Sequence, residues 1–358
     1  MIHTLSCNAK ILYLYAEVMA YTMATLKALV EAGAEVHVVH WDDKKLTPYR
    51  MPAYRQVYTY SYSQHTLDSL MQLAATLQPD VTVVSGWQEQ RYLKVARRLR
   101  QQGRVVVTAF DGQWQGGLKQ YLAAGLGLMG FFSRYFSHAW VAGAYQFEYA
   151  RRLGFHKNNI VFDLLSADLS LFQNCYQSHL DVKQIRYPHR FLFVGRFEPI
   201  KGLDTLLAAW QTLRAAWGDW ELHLIGNGSL KERLMATPGI VVKDFMEPDQ
   251  LVNELAESGC LILPSLGEPW GVVVHEFAAA GLPLIVSDVV GAATTFLVSG
   301  LNGYTFKVND VGDLAKAIGR IISLSDPHLM EMSHASHRLS NRITPLTSAR
   351  NLLSLLPK

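Results

Sequence analysis

The stretch from Leu261 to Asp288, LILPSLGEPWGVVVHEFAAAGLPLIVSD, constrains the fold more than any other. Leu261 to Pro264 is a short apolar run of strand type, Ser265 to Gly271 a turn-rich loop, and Val272 to Ala280 a helical run without a breaker. Gly281 stands where a left-handed helix cap is wanted, Pro283 cannot continue the helix, and Leu284 to Ser287 supplies the next strand. Two strands joined through a helix run parallel. The alternation continues along the chain, with strands predicted near 9–15, 35–41, 80–85, 104–109, 139–142, 160–162, 191–195, 220–225 and 240–242 and helices between most of them. Residues 47–62 read as loop or strand without a clear period, and 111–136 as a loop opening a long, mostly apolar helix. The expectation is an α/β chain of parallel sheets covered on both faces.

A chain of 358 residues is long enough for two such domains, each with its own core. With 49% hydrophobic residues and a formal charge of +3, it is globular, and nothing in it marks a nucleic-acid-coating protein. Cys7, Cys175 and Cys260 are odd in number and far apart, so neither a disulfide framework nor a zinc site is indicated, and a reducing cytoplasm is the expected location. No basic segment precedes the first apolar run, no stretch reaches the roughly 18 apolar residues of a spanning helix, and no Gly-x-Gly-x-x-Gly follows the first strand. Residues 173–189, polar with a Tyr-Pro near the end, read as a linker between domains, and 299–310 as hairpin-like.

Two carboxylates flank the helix start in the opening stretch. The first N–H groups of that helix, near Gly271 and Val272, are unpaired and partly positive, so they favour an oxygen-rich or anionic ligand. Glu268 is placed to accept from the hydroxyls of such a ligand, and Glu276, further along, from a second pair such as a ribose diol. Taken singly, each Glu reads more readily as a solvated surface residue; the spacing of the two is the more specific feature. Upstream, VGRFEPIKG puts Arg196 directly after a strand and Lys201 at a following helix start, at the carboxyl edge of a parallel sheet. Two cations there suit a diphosphate leaving group, whose oxygens gain charge as the bond to it breaks; the plainer reading is two surface cations at element ends. Gly226, Asn227 and Gly228 follow the next strand, where glycine lets backbone approach phosphate closely or simply makes a turn.

These motifs resemble the retaining, nucleotide-sugar-dependent glycosyltransferases of family four. PSLGEPWGVVVHEFAAAG is similar to their Glu-x7-Glu signature and GRFEPIKG to their Gly-Arg-x(4)-Lys-Gly pattern. The resemblance implies a GT-B fold: two Rossmann-like, doubly wound domains facing across a cleft, residues 1–172 binding acceptor, a linker at 173–189, residues 190–339 binding donor, and a last helix near 340–358 crossing back. It implies that Gly195, Arg196 and Lys201 hold the diphosphate, Gly226 to Gly228 lie under the nucleotide, backbone near Phe245 meets the base, Glu268, Pro269, Trp270, Gly271 and Val272 surround the sugar, and Glu276 holds the ribose. The glycine usual near Asp244 is absent, as is a glycine pair after the first strand, where Ala16-Glu17-Val18 stands. A His usual near residue 110 is replaced by Phe110-Asp111.

Asp111 is the acceptor-side candidate, orienting a hydroxyl or taking its proton, unless it caps the helix that follows. Glu17 and His65 are weaker candidates. The cations Arg91, Lys94, Arg97, Arg98, Arg100 and Arg104 read as a solvated helix face, but with the apolar stretch 118–136, Lys119 and Arg134 they raise peripheral contact with an anionic membrane as an expectation. The expected activity is transfer of a hexosyl group from a UDP or GDP sugar to a hydroxyl of a glycan, lipid-linked or small-molecule acceptor, with retention. No metal is expected, since no Asp-x-Asp occurs, and no cofactor beyond the donor. A non-catalytic scaffold of the same fold, or a GT-B epimerase or phosphorylase, is the alternative.

Overall fold

The computed structural model describes residues 8–42 and 51–356. The chain forms two compact units, Met1–Ala167 with Ile343–Lys358, and Asp168–Arg342. The first is built on β1 (Lys10–Tyr15), β2 (Glu35–His40), β3 (Val57–Ser61), β4 (Val81–Ser85), β5 (Val105–Phe110), β6 (His138–Val141) and β7 (Ile160–Val161). They form one parallel sheet in the order β3-β2-β1-β4-β5-β6-β7. Its helices are α1 (Ala20–Glu31), α2 (Leu67–Leu77), α3 (Gln90–Gln101), α4 (Leu118–Leu128) and α5 (Ala144–Arg152). Strands such as β4, VTVVS, are buried on both sides, from Val81 to Val84, because helices cover both sheet faces.

The second unit carries β8 (Arg190–Val194), β9 (Glu221–Ile225), β10 (Val241–Lys243), β11 (Cys260–Leu263), β12 (Leu284–Ser287) and β13 (Gly303–Phe306), again all parallel, in the order β10-β9-β8-β11-β12-β13. Helices α6 (Leu169–Ile185), α7 (Leu203–Thr212), α8 (Lys231–Met235), α9 (Pro248–Ala256), α10 (Val272–Ala279), α11 (Ala293–Phe296), α12 (Val311–Ile322) and α13 (Asp326–Ser340) surround it. The final helix, α14 (Pro345–Leu353), belongs to the first unit and packs on α1. In each sheet the order reverses once, between β1 and β4 and between β8 and β11. Loops leaving the carboxyl ends of those strands diverge there and leave a crevice.

Three expectations need correction. Residues 173–189 are no linker: most of them continue α6, which buries Phe172, Cys175, Tyr176 and Lys183 and packs on α9, α10 and α13. The boundary between units falls after Ala167. The 299–310 segment is no hairpin, because β13 adds parallel to β12. Finally, 111–136 holds no single long helix: α4 ends at Leu128, and a separate short turn, Phe132–Arg134, carries Phe132 into the core.

Candidate functional site

The second unit gathers its predicted residues at its switch point. β8 ends at Val194, and Gly195 and Arg196 follow. Arg196 is exposed and makes no hydrogen bond or ion pair among the described residues. It sits near Glu198, whose carboxyl is held below the usual range first by Ser229, through N–H at 3.1 Å and Oγ at 2.7 Å, with Arg196 adding its charge. Lys201 closes a short turn beginning at Pro199, and Gly202 then enters α7 in the left-handed conformation, φ 67°. A Cβ there would lie 2.0 Å from the Pro264 carbonyl oxygen, so only glycine lets the Lys201 turn sit against the end of β11. That approach brings Lys201 Nζ onto Glu268 Oε2, the two side chains being 16% and 14% exposed. Ser265 Oγ donates to the same carboxylate oxygen at 3.2 Å.

The Glu268 backbone is fixed independently of its side chain. It bridges to Val290 in parallel fashion, and its carbonyl accepts from Gly291 N–H at 3.3 Å. Gly271, φ 88°, is the N-cap of α10, where a Cβ would press on Glu268 and Val290. The N–H groups of Gly271, Val272 and Val273 open α10 with no acceptor among the described residues. Trp270 is different: the residue is 1% exposed, its ring packs edge-on to Phe296, and its carbonyl accepts from Ala292 N–H at 2.9 Å. One to two turns on, the Glu276 carboxyl is pushed up to about 7, first by burial and then by the Asp168 carboxylate. His275, beside it, is structural, stacked on Phe296 with Nε2 2.9 Å from the Ser340 carbonyl.

The Gly226-Asn227-Gly228 turn has a packing reason of its own. A Cβ on Gly226 would lie 1.9 Å from the Gly195 carbonyl oxygen, and one on Gly228 2.6 Å from that of Phe197. The loops after β8 and β9 are knit backbone to backbone, with Phe197 N–H donating to the Asn227 carbonyl at 2.8 Å. This holds Arg196 at the crevice. Phe245 is exposed just beyond β10, next to Asp244, which pairs with Lys231. Among the described residues no group of three His, Cys, Asp or Glu side chains converges as metal ligands.

The first unit has a cavity of ≈ 500 Å³ at its own switch point. Tyr15, Glu17, Trp87, Glu89, Asp111 and Tyr149 are among its walls. Asp111 is not a helix cap, since α4 begins seven residues later, at Leu118, with Gly117 as N-cap. Its backbone carbonyl accepts from the buried Gln146 at 2.9 Å, and its charge adds to the burial that raises the Tyr15 phenol. Trp87 stands edge-on to Phe110, Phe132 and Tyr149. Sequence reasoning singled out Asp111 and Glu17 but missed Trp87, Glu89 and Tyr149. The signal for Trp87 and Glu89 was their place directly after β4. His65 lies elsewhere, its ring bonded to Ser69 at 3.2 Å and its carbonyl to Arg91. Arg91 lies over the Tyr62 ring at 3.5 Å, so it is spent inside the unit, while Lys94, Arg97 and Arg98 face solvent.

Residues 188–324 match the family described as glycosyl transferases group 1. Among curated proteins, glycogen synthase of Mycobacterium tuberculosis is 31% identical over 149 residues, 39% of this chain and 35% of that protein. Phosphatidyl-myo-inositol mannosyltransferase of Propionibacterium freudenreichii is 28% identical over 42% of this chain and 38% of its own length. The chain therefore spans little more than a third of the curated relatives it matches. Likeness in shape extends further. Sucrose-phosphate synthase of Thermosynechococcus elongatus superposes with a TM-score of 0.69 at 17% identity, covering 94% of this chain and 95% of that one. The Anabaena protein HepE, solved with UDP-glucose, gives 0.67 at 14%, covering 97% and 98%. The fold is GT-B, two parallel-sheet Rossmann-like domains.

Proposed function

We propose that this member of the glycosyl transferases group 1, built on the GT-B fold, moves a hexosyl group from a nucleoside-diphosphate sugar to a hydroxyl, with retention at the anomeric carbon. The observation that carries the reading is the crevice of the second unit. There Arg196 and the Lys201–Glu268 pair lie on the segments that diverge after β8 and β11, with the open start of α10 and Glu276 within that helix. Likeness to a protein solved with UDP-glucose supports a UDP-type donor, and GDP remains the second candidate.

In this reading the diphosphate displaces Glu268 from Lys201. Lys201 and Arg196 then take the phosphate oxygens, with α10 adding its unpaired N–H groups. Glu268, released, turns its carboxylate to the sugar hydroxyls. Both moves serve the reaction, because the leaving diphosphate gains charge as the glycosidic bond breaks, and cations already in place stabilise it more than the ground state. Glu276 accepts from the ribose diol, and backbone near Phe245 lies against the base. The first unit's cavity takes the acceptor. Its aromatic walls offer faces for a sugar ring, and Asp111 orients the hydroxyl or receives its proton.

Thermal shift against UDP, GDP and ADP, then against their sugars, tests donor choice; a ligand at 100 times its Kd stabilises by about 2.7 kcal/mol. Proton NMR of the first-formed product tests the stereochemistry. Retained anomeric configuration supports the reading, and an inverted anomeric proton rejects it.

A further inference from the structure

We propose that α4 is an in-plane anchor, seated by its apolar stripe in the headgroup region of an anionic lipid bilayer. The helix is amphipathic in the inverse sense. Leu118, Tyr121, Leu122, Leu126, Leu128 and Met129 are between 46% and 80% exposed. At a hundred degrees per residue they fall within an arc of about 160°. The opposite face carries Gly127, whose absent side chain lets α4 touch the turn after α5: a Cβ on Gly127 would lie 2.2 Å from the Leu153 carbonyl oxygen. Gly127 is the one buried residue of the helix. The work of covering the sheet falls to Phe132 and Phe136, which enter the core beside it. Five large apolar side chains on one short helix, and a sixth at its C-cap, are thus left in water, which a soluble surface seldom tolerates without an occupant.

Charge identifies the occupant. From Gly112 to Phe147 the sequence contains no Asp or Glu, while Lys119 and Arg134 lie in that stretch and both are exposed. Arg152, also exposed, places its guanidinium 4.8 Å from the Trp114 ring centre, and Trp114 stands edge-on to Tyr121 at 4.9 Å. Apolar side chains ringed by cations supply the two signals that peripheral attachment requires, apolar insertion and attraction to anionic headgroups. A second copy is disfavoured, because a twofold interface on this stripe would bring like charges together. The anchor is also tied to the cavity of the first unit. Gln120 of α4 donates from Nε2 to the Gln113 carbonyl and accepts from Gln115 N–H, both at 2.7 Å, in the loop that leaves Asp111. A bilayer held by α4 would present a lipid-linked hydroxyl beside that loop. This last consequence rests on the glycosyl-transfer reading; the membrane contact does not.

The experiment is flotation of the full chain, without any sugar donor, on phosphatidylcholine vesicles with and without about one third phosphatidylglycerol. The expected result is flotation with anionic vesicles that fades with added salt and with loss of the anionic lipid. The double variant Leu122→Glu/Leu128→Glu should bind about a hundredfold more weakly or worse, each buried leucine lost being worth about a factor of ten or more. Its melting temperature should hold or rise, since both side chains are exposed. No flotation on anionic vesicles, or flotation equal in the variant, overturns the proposal. So does a lipid-free dimer by light scattering that the double variant splits, which would make the stripe a contact between copies.

Discussion

The Lys201–Glu268 pair is the residue-scale centre of the account, and it makes an asymmetric prediction. Glu268→Ala removes a ligand for the sugar but also frees Lys201 for the diphosphate. Turnover should fall by about 10² to 10³, as when one well-placed polar group is lost from a transition-state site, while UDP binding measured by calorimetry holds or tightens. A purely structural pair would instead weaken nucleotide binding along with stability. Lys201→Ala should weaken both nucleotide binding and turnover. Glu276 gives a second prediction, with its sign set by titration. Its carboxyl ordinarily titrates at 4.5 and here is raised to about 7, chiefly by burial. Between those values the folded chain holds a proton that the unfolded chain has released, so this residue lowers stability as pH rises toward 7, and the deficit persists above it. Glu276→Gln should therefore raise the melting temperature of the unliganded protein at pH 8 relative to wild type. The same change should cost about tenfold or more in nucleotide affinity, the worth of a hydrogen bond to a charged group. In wild type, nucleotide affinity should weaken as pH falls below 7.

At the scale of elements, glycine and one buried lysine fix how the second unit packs. Gly226→Ala would drive a methyl into the Gly195 carbonyl, so it should destabilise the second unit by about 1–3 kcal/mol or more, the cost of overpacking a tight contact. Chemical denaturation followed by tryptophan fluorescence would read this. Lys183 donates to the Leu255 and Ser258 carbonyls at 3.1 and 3.0 Å, in the last turn of α9 and just past it, and burial lowers its titration to about 8 from 10.5. Between those pH values the unfolded chain holds the extra proton, so wild-type stability gains from Lys183 as pH rises from 8 to 10.5. Lys183→Met should lose that rise. The same elements mark what the sequence disclosed. Leu261 to Ser287 was legible to within a residue at each element end, down to Gly281 at φ 74°, because apolar strands, a breaker-free helix and a glycine cap are local signals. β3 had no clear period, because it is an edge strand whose tyrosines and Thr59 face outward in part. α6 read as a linker because its polar residues outnumber the few that pack, and those packing partners lie some seventy to 160 residues away. That information is tertiary.

For the molecule as a whole, the same architecture occurs twice, and each sheet places its candidate chemistry where the strand order reverses. That Arg196, Lys201, Glu268 and Glu276 gather in the second unit was legible, because cations after one strand and carboxylates around one helix are short motifs in a fixed order. The cavity of the first unit was not, since Tyr15 at the end of β1, Trp87 and Asp111 in two loops and Tyr149 on α5 are brought together only by the fold. The account's central claim is glycosyl transfer from a nucleoside-diphosphate sugar held by the second unit, and release of the nucleoside diphosphate tests it most directly. The full chain, given UDP-, GDP- and ADP-hexoses in turn, should release one nucleotide faster than the uncatalysed background. Lys201→Ala should slow that release about 10²-fold or more. Release at background rate from every donor, or release that Lys201→Ala leaves unchanged, would contradict the account.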